Sequence, residues 1–312
     1  MTSPTPPSRN SDADSQSVIS TLPHRENSRA WLCSGPAVLM MSVLIFGPLA
    51  AVAFCSLTNW QLGQESFSFV GIANFKALLT DNVFAKSLRN TALYVLLVVP
   101  GTVVLGLLVA LLTESSDGLK GFYRAAHFIP VVAASSAMAI VWGTMLSPMI
   151  GLFNRALYLL GYAGVDWLRD ERTALPALAL IGIWQGAGYA MVLFIAGLKA
   201  IPRHLYDAAE IDGADRALDR LQLVVLPTIA PVLMFVAIIT AIRAFSVFDT
   251  VRVLTSGGPD YSTDVLLFRL YTEGFDYLRT GYGAALTVVF LAIVIVLTLV
   301  QARVMDRRIY YS

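Results

Sequence analysis

Six stretches of the chain are nearly free of charge, and polar segments separate them. They run near residues 35–57, 91–112, 128–146, 174–198, 224–245 and 284–304. Each approaches the ~20 apolar residues a helix needs to cross the hydrocarbon core of a bilayer, the third being the shortest. Lipid offers no partner to a free backbone N–H or C=O, so segments that satisfy their own, as helices do, are the natural solution. The pattern predicts an all-α integral membrane protein with six transmembrane helices. Pro100, Pro130, Pro176, Pro227 and Pro231 fall within these runs or at their ends. Each lacks an N–H donor, which predicts kinks or helix ends there.

Ahead of the first run, residues 1–29 are rich in Ser, Pro, Asn and Asp without apolar periodicity, which predicts a disordered tail. The apolar run that begins near Trp31 is longer than the core of a signal peptide, so an anchor is expected. Residues 30–312 then form one membrane domain. Between the fourth and fifth runs lies a segment of another character, residues 201–227. It has the composition of two short amphipathic helices hinged at Gly213, a residue able to take the positive φ that ends a helix. Pro202 suits a first helical position, and Ala208 with Ala209 would give a small-residue face for close approach.

Composition supports the membrane assignment. Mean hydropathy is +0.67, 56% of residues are hydrophobic and 14% charged, which sets the chain apart from soluble enzymes. A formal net charge of +1 without a basic stripe argues against nucleic acid as a partner. On one continuous helix Cys33 and Cys55 would lie about 33 Å apart, too far for a disulfide. Lys and Arg favour one set of segments by twelve to nine, with clusters at Arg25/Arg29, Lys120/Arg124, Lys199/Arg203 and Arg303/Arg307/Arg308. The positive-inside rule then places both termini, and residues 201–227, in the cytoplasm. The three outer loops carry Trp60, Phe67, Phe69, Phe75, Trp167 and Tyr271 among other aromatics. Such loops could receive a partner from outside or only cap the bundle.

Catalytic chemistry is hard to find. The sequence has no phosphate-binding Gly-x-x-x-x-Gly-Lys-[Ser/Thr] loop. His24, His127 and His204 lack metal-ligand spacing. No nucleophile elbow occurs, and ionisable residues are almost missing from the apolar runs. Arg243 and Asp249 are the charges nearest a span. Arg243 either snorkels to the interface or shares a face with Thr240, Ser246 and Val247 that looks into a polar cavity. The fourth run offers Trp184, Gln185, Gly186, Gly188 and Tyr189: an aromatic to stack, an amide for hydroxyls and glycines for close approach. A sugar needs those groups, and plain helix packing can use them as well.

Asp207-Ala-Ala-Glu-Ile-Asp-Gly-Ala214 followed by Leu226-Pro227 resembles the cytoplasmic loop of permease subunits in binding-protein-dependent ABC sugar importers, of the maltose and glycerol-3-phosphate permease type. The resemblance extends from about Trp31 to the C-terminus. It takes in Phe69-Val-Gly-Ile-Ala-Asn-Phe75, Leu88-Arg-Asn-Thr91, Arg124 through Pro130, Asn154, Trp167-Leu168, Phe248-Asp249, Leu254-Thr-Ser-Gly-Gly-Pro259 and Gly281-Tyr-Gly-Ala-Ala285. Two departures stand out. Asp207 replaces the first Glu of the loop, and one extra residue lies between Gly213 and Pro227. One residue turns a helix by about 100°, so a rephased second helix or a bulge is expected.

The resemblance implies the type I ABC importer permease fold, with a coupling helix between helices four and five that docks on an ATPase. Asp207, Ala208, Ala209, Glu210, Asp212 and Gly213 would form that docking element. It also implies a substrate path near Gly182, Gln185 and Gly186 on helix four and Thr240, Ala244 and Val247 on helix five; Trp184, Tyr189 and Arg243 join it from the residue types alone. The family's polar side chains are mostly not kept there. The implied assembly is a heterodimer with a second permease subunit, two ATP-binding subunits that hold the ATP and magnesium, and an extracytoplasmic solute-binding protein. This chain would move a sugar by alternating access in the inner membrane, without a cofactor or catalysis of its own. A self-sufficient secondary transporter is the alternative, and it would require intramembrane carboxylates and an inverted repeat, neither of them clear in the sequence. A membrane enzyme would require a catalytic cluster.

Overall fold

The structure, a computed structural model, describes residues 34–115, 118, 120–214 and 216–308, with residues 115 and 304–308 described by backbone alone. The expected N-terminal tail, Cys33 and Asp215 lie outside the described residues. The chain divides into two compact units, Met1–Phe54 and Cys55–Ser312. Within the first, helix α1 (Ser34–Cys55) is apolar on all sides and contains a π-turn at Ser42–Phe46. A helix without a polar face suits a lipid environment.

The second unit is helical, and its sole described β-feature is an isolated bridge between Thr58 and Phe69. Its helices are α2 (Ala73–Thr80), α3 (Asn82–Ser115), α4 (Lys120–Val132), α5 (Ser135–Met145), α6 (Leu152–Leu159) and α7 (Ala174–Lys199). They continue with α8 (Arg203–Ile211), α9 (Ala217–Thr228), α10 (Ala230–Phe245), α11 (Asp249–Leu254), α12 (Leu266–Tyr271) and α13 (Thr280–Arg308). Among the described residues, α1, α3, α7 and α13 are long and apolar enough to span a membrane unaided. Two bent pairs, α4/α5 and α9/α10, bring the total to six if each pair is one span.

Those pairs lie at Pro130, Pro227 and Pro231, where kinks or helix ends are expected, and leave the number of spans at four to six. The third run is not one helix over residues 128–146 but α4 and α5, bent by 103°. Pro130, where the sequence predicts a kink or helix end, lies in the last turn of α4, just before the break. The fifth run breaks at Ile229 with a 73° bend, where Pro231 opens α10 and supplies no N–H to continue α9. Pro100, by contrast, sits inside an unbroken α3.

Small residues set how the spans pack, since apolar side chains gain little by leaving lipid for protein. A Cβ on Gly182 would run into Tyr94, one on Gly186 would press on Thr102, and one on Gly106 would strike Ala190. Residue numbers rise together along α3 and α7, so these two helices run in the same direction. The bent pair makes the return crossing: His127 lies against Gly188, and Trp142 against Trp184. Helix α10 also runs opposite to α7, with Val232 beside Gly197 and Arg243 over the Tyr189 ring. The bundle therefore has two distinct ends. One gathers the starts of α3, α7 and α13 with the loops around residues 58–80, 146–173 and 246–279; the other gathers α8, α9 and the ends of α3 and α7.

Candidate functional site

A cavity of about 310 Å³ lies between α3, α7 and α10. Gly182, Gln185, Gly186 and Tyr189 line it from α7, and Thr240, Arg243, Ala244 and Val247 from α10 and the turn after it. Eight of the nine residues expected along a substrate path thus meet in one place. Trp184 does not line it. Its indole meets Trp142 edge-on, with ring centroids 5.3 Å apart, and Trp142 in turn stacks on Phe153 at 5.8 Å. Trp184 is a packing residue, since a single helix turn places it away from the face shared by Gln185 and Tyr189.

Residues the sequence reading passed over complete the wall: Tyr94, Val98 and Thr102 on α3, then Ser135 and Thr250. Their signal was available. Tyr94 and Thr102 are polar or amphipathic residues eight apart in an apolar run, on one face with Val98, and that face meets the glycines of α7. Thr102 is buried and its Oγ1 has no hydrogen-bond partner. Arg243 borders the cavity, with its Cζ 4.3 Å from the centroid of the Tyr189 ring, a cation–π contact. Gly188 serves the close approach of α4, whose His127 carbonyl leaves no room for a Cβ. Gly182, Gly186 and Gly188 thus all serve the close packing of helices. Among the described residues, no three His, Cys, Asp or Glu side chains gather as metal ligands would.

The second candidate element stands at the other end of the bundle. Helix α8 begins after Pro202, which is its N-cap rather than its first helical residue, and ends at Gly213 with φ +87°. The N–H of Gly213 donates to the Glu210 carbonyl (3.1 Å) and that of Ala214 to the Ala209 carbonyl (2.9 Å). This is the Schellman arrangement, and it requires the left-handed conformation glycine takes without strain. Ala209 and Ala214 are buried together with Ile201, Val224 and Ile229. Ala208 points outward, so the expected small-residue face is a single alanine, flanked by exposed Asp207 and by Ile211, which is 87% exposed. Glu210 is engaged within the chain, 3.4 Å from Arg220. Among the described residues, Asp207 and Asp212 make no ion pair. The expected bulge is there: Leu221–Val225 forms a π-turn inside α9, which takes in one more residue than an α-turn.

The remaining motif residues pin loops at the first end. The Asn74 amide donates to the Ser56 and Thr58 carbonyls, both at 2.8 Å, and the Asn90 amide to those of Tyr261 (2.7 Å) and Asp264 (3.0 Å). Thr91 accepts the Leu266 N–H at 2.8 Å. Asn154 holds both backbone groups of Val165 and accepts the Trp167 indole N–H. A side chain on Gly281 would collide with the Thr58 carbonyl, while the Gly281 N–H donates to Trp60. Glu273, 0% exposed, bridges Arg269 (2.6 Å) and Arg279 (2.5 Å), and Arg269 also faces Asp264 at 3.9 Å. Burial pushes the Asp264 carboxyl up to about 6 despite the Ser87 hydroxyl that donates to it.

A helical membrane bundle with a polar cavity and an exposed helix–turn–helix at one end defines a transport component. Residues 82–310 match the family of the binding-protein-dependent transport system inner membrane component, and the chain belongs to that family. It is similar to the sn-glycerol-3-phosphate transport system permease protein of Agrobacterium fabrum, 32% identical over 285 residues that cover 90% of this chain and 96% of that one. It is also similar to the diacetylchitobiose uptake system permease protein of Streptomyces coelicolor, 34% identical over 273 residues, covering 83% and 76%. Its fold matches a chain of a bacterial alginate ABC transporter solved in complex with an alginate pentasaccharide-bound periplasmic protein. That match has a TM-score of 0.77 and 22% identity, and covers 91% of this chain and 96% of the other. These relatives are permease components and not enzymes, and the family places this chain in the inner membrane.

Proposed function

We propose that this chain is the transmembrane permease subunit of an ATP-driven ABC importer, moving a sugar or sugar derivative across the inner membrane by alternating access. The observation that carries this is the convergence of α3, α7 and α10 on one polar-lined cavity. Gln185, Thr240, Ser246 and Thr250 supply hydroxyl and amide groups of the kind polyhydroxylated ligands exchange for water. The names of two relatives, an sn-glycerol-3-phosphate permease and a diacetylchitobiose permease, point to the same class of cargo.

In this assembly the partners are a second permease subunit, two ATP-binding subunits and an extracytoplasmic solute-binding protein. ATP and magnesium are held by the ATP-binding subunits. Helix α8 and the turn at Gly213 face the cytoplasm and dock on one of them through Asp207, Ala208, Ile211 and Asp212, while Ala209 and Gly213 hold the element's shape. Both termini are cytoplasmic. ATP binding draws the docking elements together and reverses the access of the cavity, which requires states that bind nucleotide or cargo unequally. Co-purification from native membranes tests this: the chain should bring down a second permease and an ATPase. A chain that runs alone overturns the importer assignment.

A further inference from the structure

We propose that Arg243 makes this transporter selective for an anionic cargo, a sugar or polyol bearing a phosphate, sulfonate or carboxylate group, rather than a neutral sugar. This rests on the cavity being the cargo path. Arginine inside a membrane bundle is costly unless a negative partner or a water-filled space receives it. Here the guanidinium is exposed and borders the cavity, braced on the face of Tyr189 at 4.3 Å. Among the described residues it makes no ion pair and no side-chain hydrogen bond. Asp249 is the only carboxylate in the lining, and among the described residues it forms no ion pair with Arg243.

A ring contact of this kind fixes the position of the guanidinium while leaving its N–H edges free to donate. Those edges match two oxygens of a phosphate, sulfonate or carboxylate, a geometry lysine does not offer. The rest of the lining suits the remainder of such a molecule. Asp249, Gln185 and Thr240 can take its hydroxyls. Thr102, buried with its Oγ1 unpartnered, offers one more group to a ligand that reaches the floor. A neutral sugar would leave the guanidinium with water alone, losing the charge-assisted contact that this wall is built to give.

The test uses the whole importer in proteoliposomes with ATP inside, offered matched pairs of labelled compounds. The pairs are glycerol and sn-glycerol 3-phosphate, glucose and glucose 6-phosphate, and glucose and glucuronate. ATP-dependent uptake of an anionic member, lowered about tenfold or more by Arg243→Gln and less by Arg243→Lys, is the expected result. Uptake of neutral members only, or an anion uptake that Arg243→Gln leaves intact, overturns the inference while the importer stands. If no compound enters, the sugar-importer reading falls and the inference with it. Loss of the second permease from the purified Arg243→Gln complex would assign the guanidinium to a partner carboxylate and also overturn it.

Discussion

The two ends of the bundle are held in opposite ways. At the end that gathers residues 58–91 and 255–283, buried amides, hydroxyls and the Arg269–Glu273–Arg279 network tie loop to helix. At the other end α8 is held by one buried strip, Ala209 and Ala214, and presents Asp207, Ala208 and Ile211 outward. The loop end also exposes apolar side chains, Met149 at 91% and Leu79 at 85%, so the two ends differ in how they are held more than in what they expose. The α8 end leaves Ile211 87% exposed beside Asp207 and Asp212, which make no ion pair among the described residues. The contrast is between an end pinned by buried polar groups and one held mainly by apolar packing.

The pinned end should break first. Glu273→Ala leaves two arginines facing an empty, buried site, and removing one partner of a buried ion pair costs about 3–5 kcal/mol. Thermal unfolding of the purified protein in detergent should show it, and an unchanged midpoint would erase the contrast. Next comes pH. The Asp264 carboxyl titrates near 6 in the folded chain against about 3.8 for the ordinary side chain. Between those values the folded state binds more proton than the unfolded one, so this group's contribution falls as pH rises from 4 to 6. The effect should be on the order of 2 kcal/mol, and Asp264→Asn should remove it from the pH dependence of unfolding. Lys86→Ala severs an exposed pair with Asp260 at 2.9 Å and should cost less than about 1 kcal/mol.

The smallest change in stability, within about 0.5 kcal/mol, is expected for Ile211→Asp at the other end. That variant should nonetheless lower cargo-stimulated ATP hydrolysis by the assembled importer about tenfold or more, as loss of an interface anchor does. A folded Ile211→Asp complex with full stimulation would remove the docking role from α8.

Much of this was legible beforehand. Apolar run lengths located the spans, the Gly213 turn follows from local rules about positive φ, and the bulge before Pro227 from one residue more than the resembled pattern has. The cavity-lining residues on α7 and at the end of α10 were expected from the family resemblance and, for Tyr189 and Arg243, from residue type. What escaped depends on neighbours. The 103° bend of α4/α5 had only Pro130 to mark it, and nothing local gives its size; α4 packs on α7 and α5 on α11. Trp184 looked like a stacking platform until Trp142 and Phe153 took it. Ala209 and Glu210 looked free until the Schellman turn buried one and Arg220 engaged the other. The network around Glu273 was invisible because its members lie in loops without periodicity.

The parallel course of α3 and α7 bears on how the protein is made. Gly101 and Gly106 are shaped for a helix that does not yet exist when α3 leaves the ribosome. Its partner follows roughly 85 residues later, about 4–17 s at the usual pace of synthesis of about 5–20 residues per second. Through that interval the glycine face of α3 must wait in lipid or against insertion machinery, and the intervening bent pair must already have turned back across the bilayer. A bulky residue at Gly106 would go unfelt until α7 arrives, and then strike Ala190.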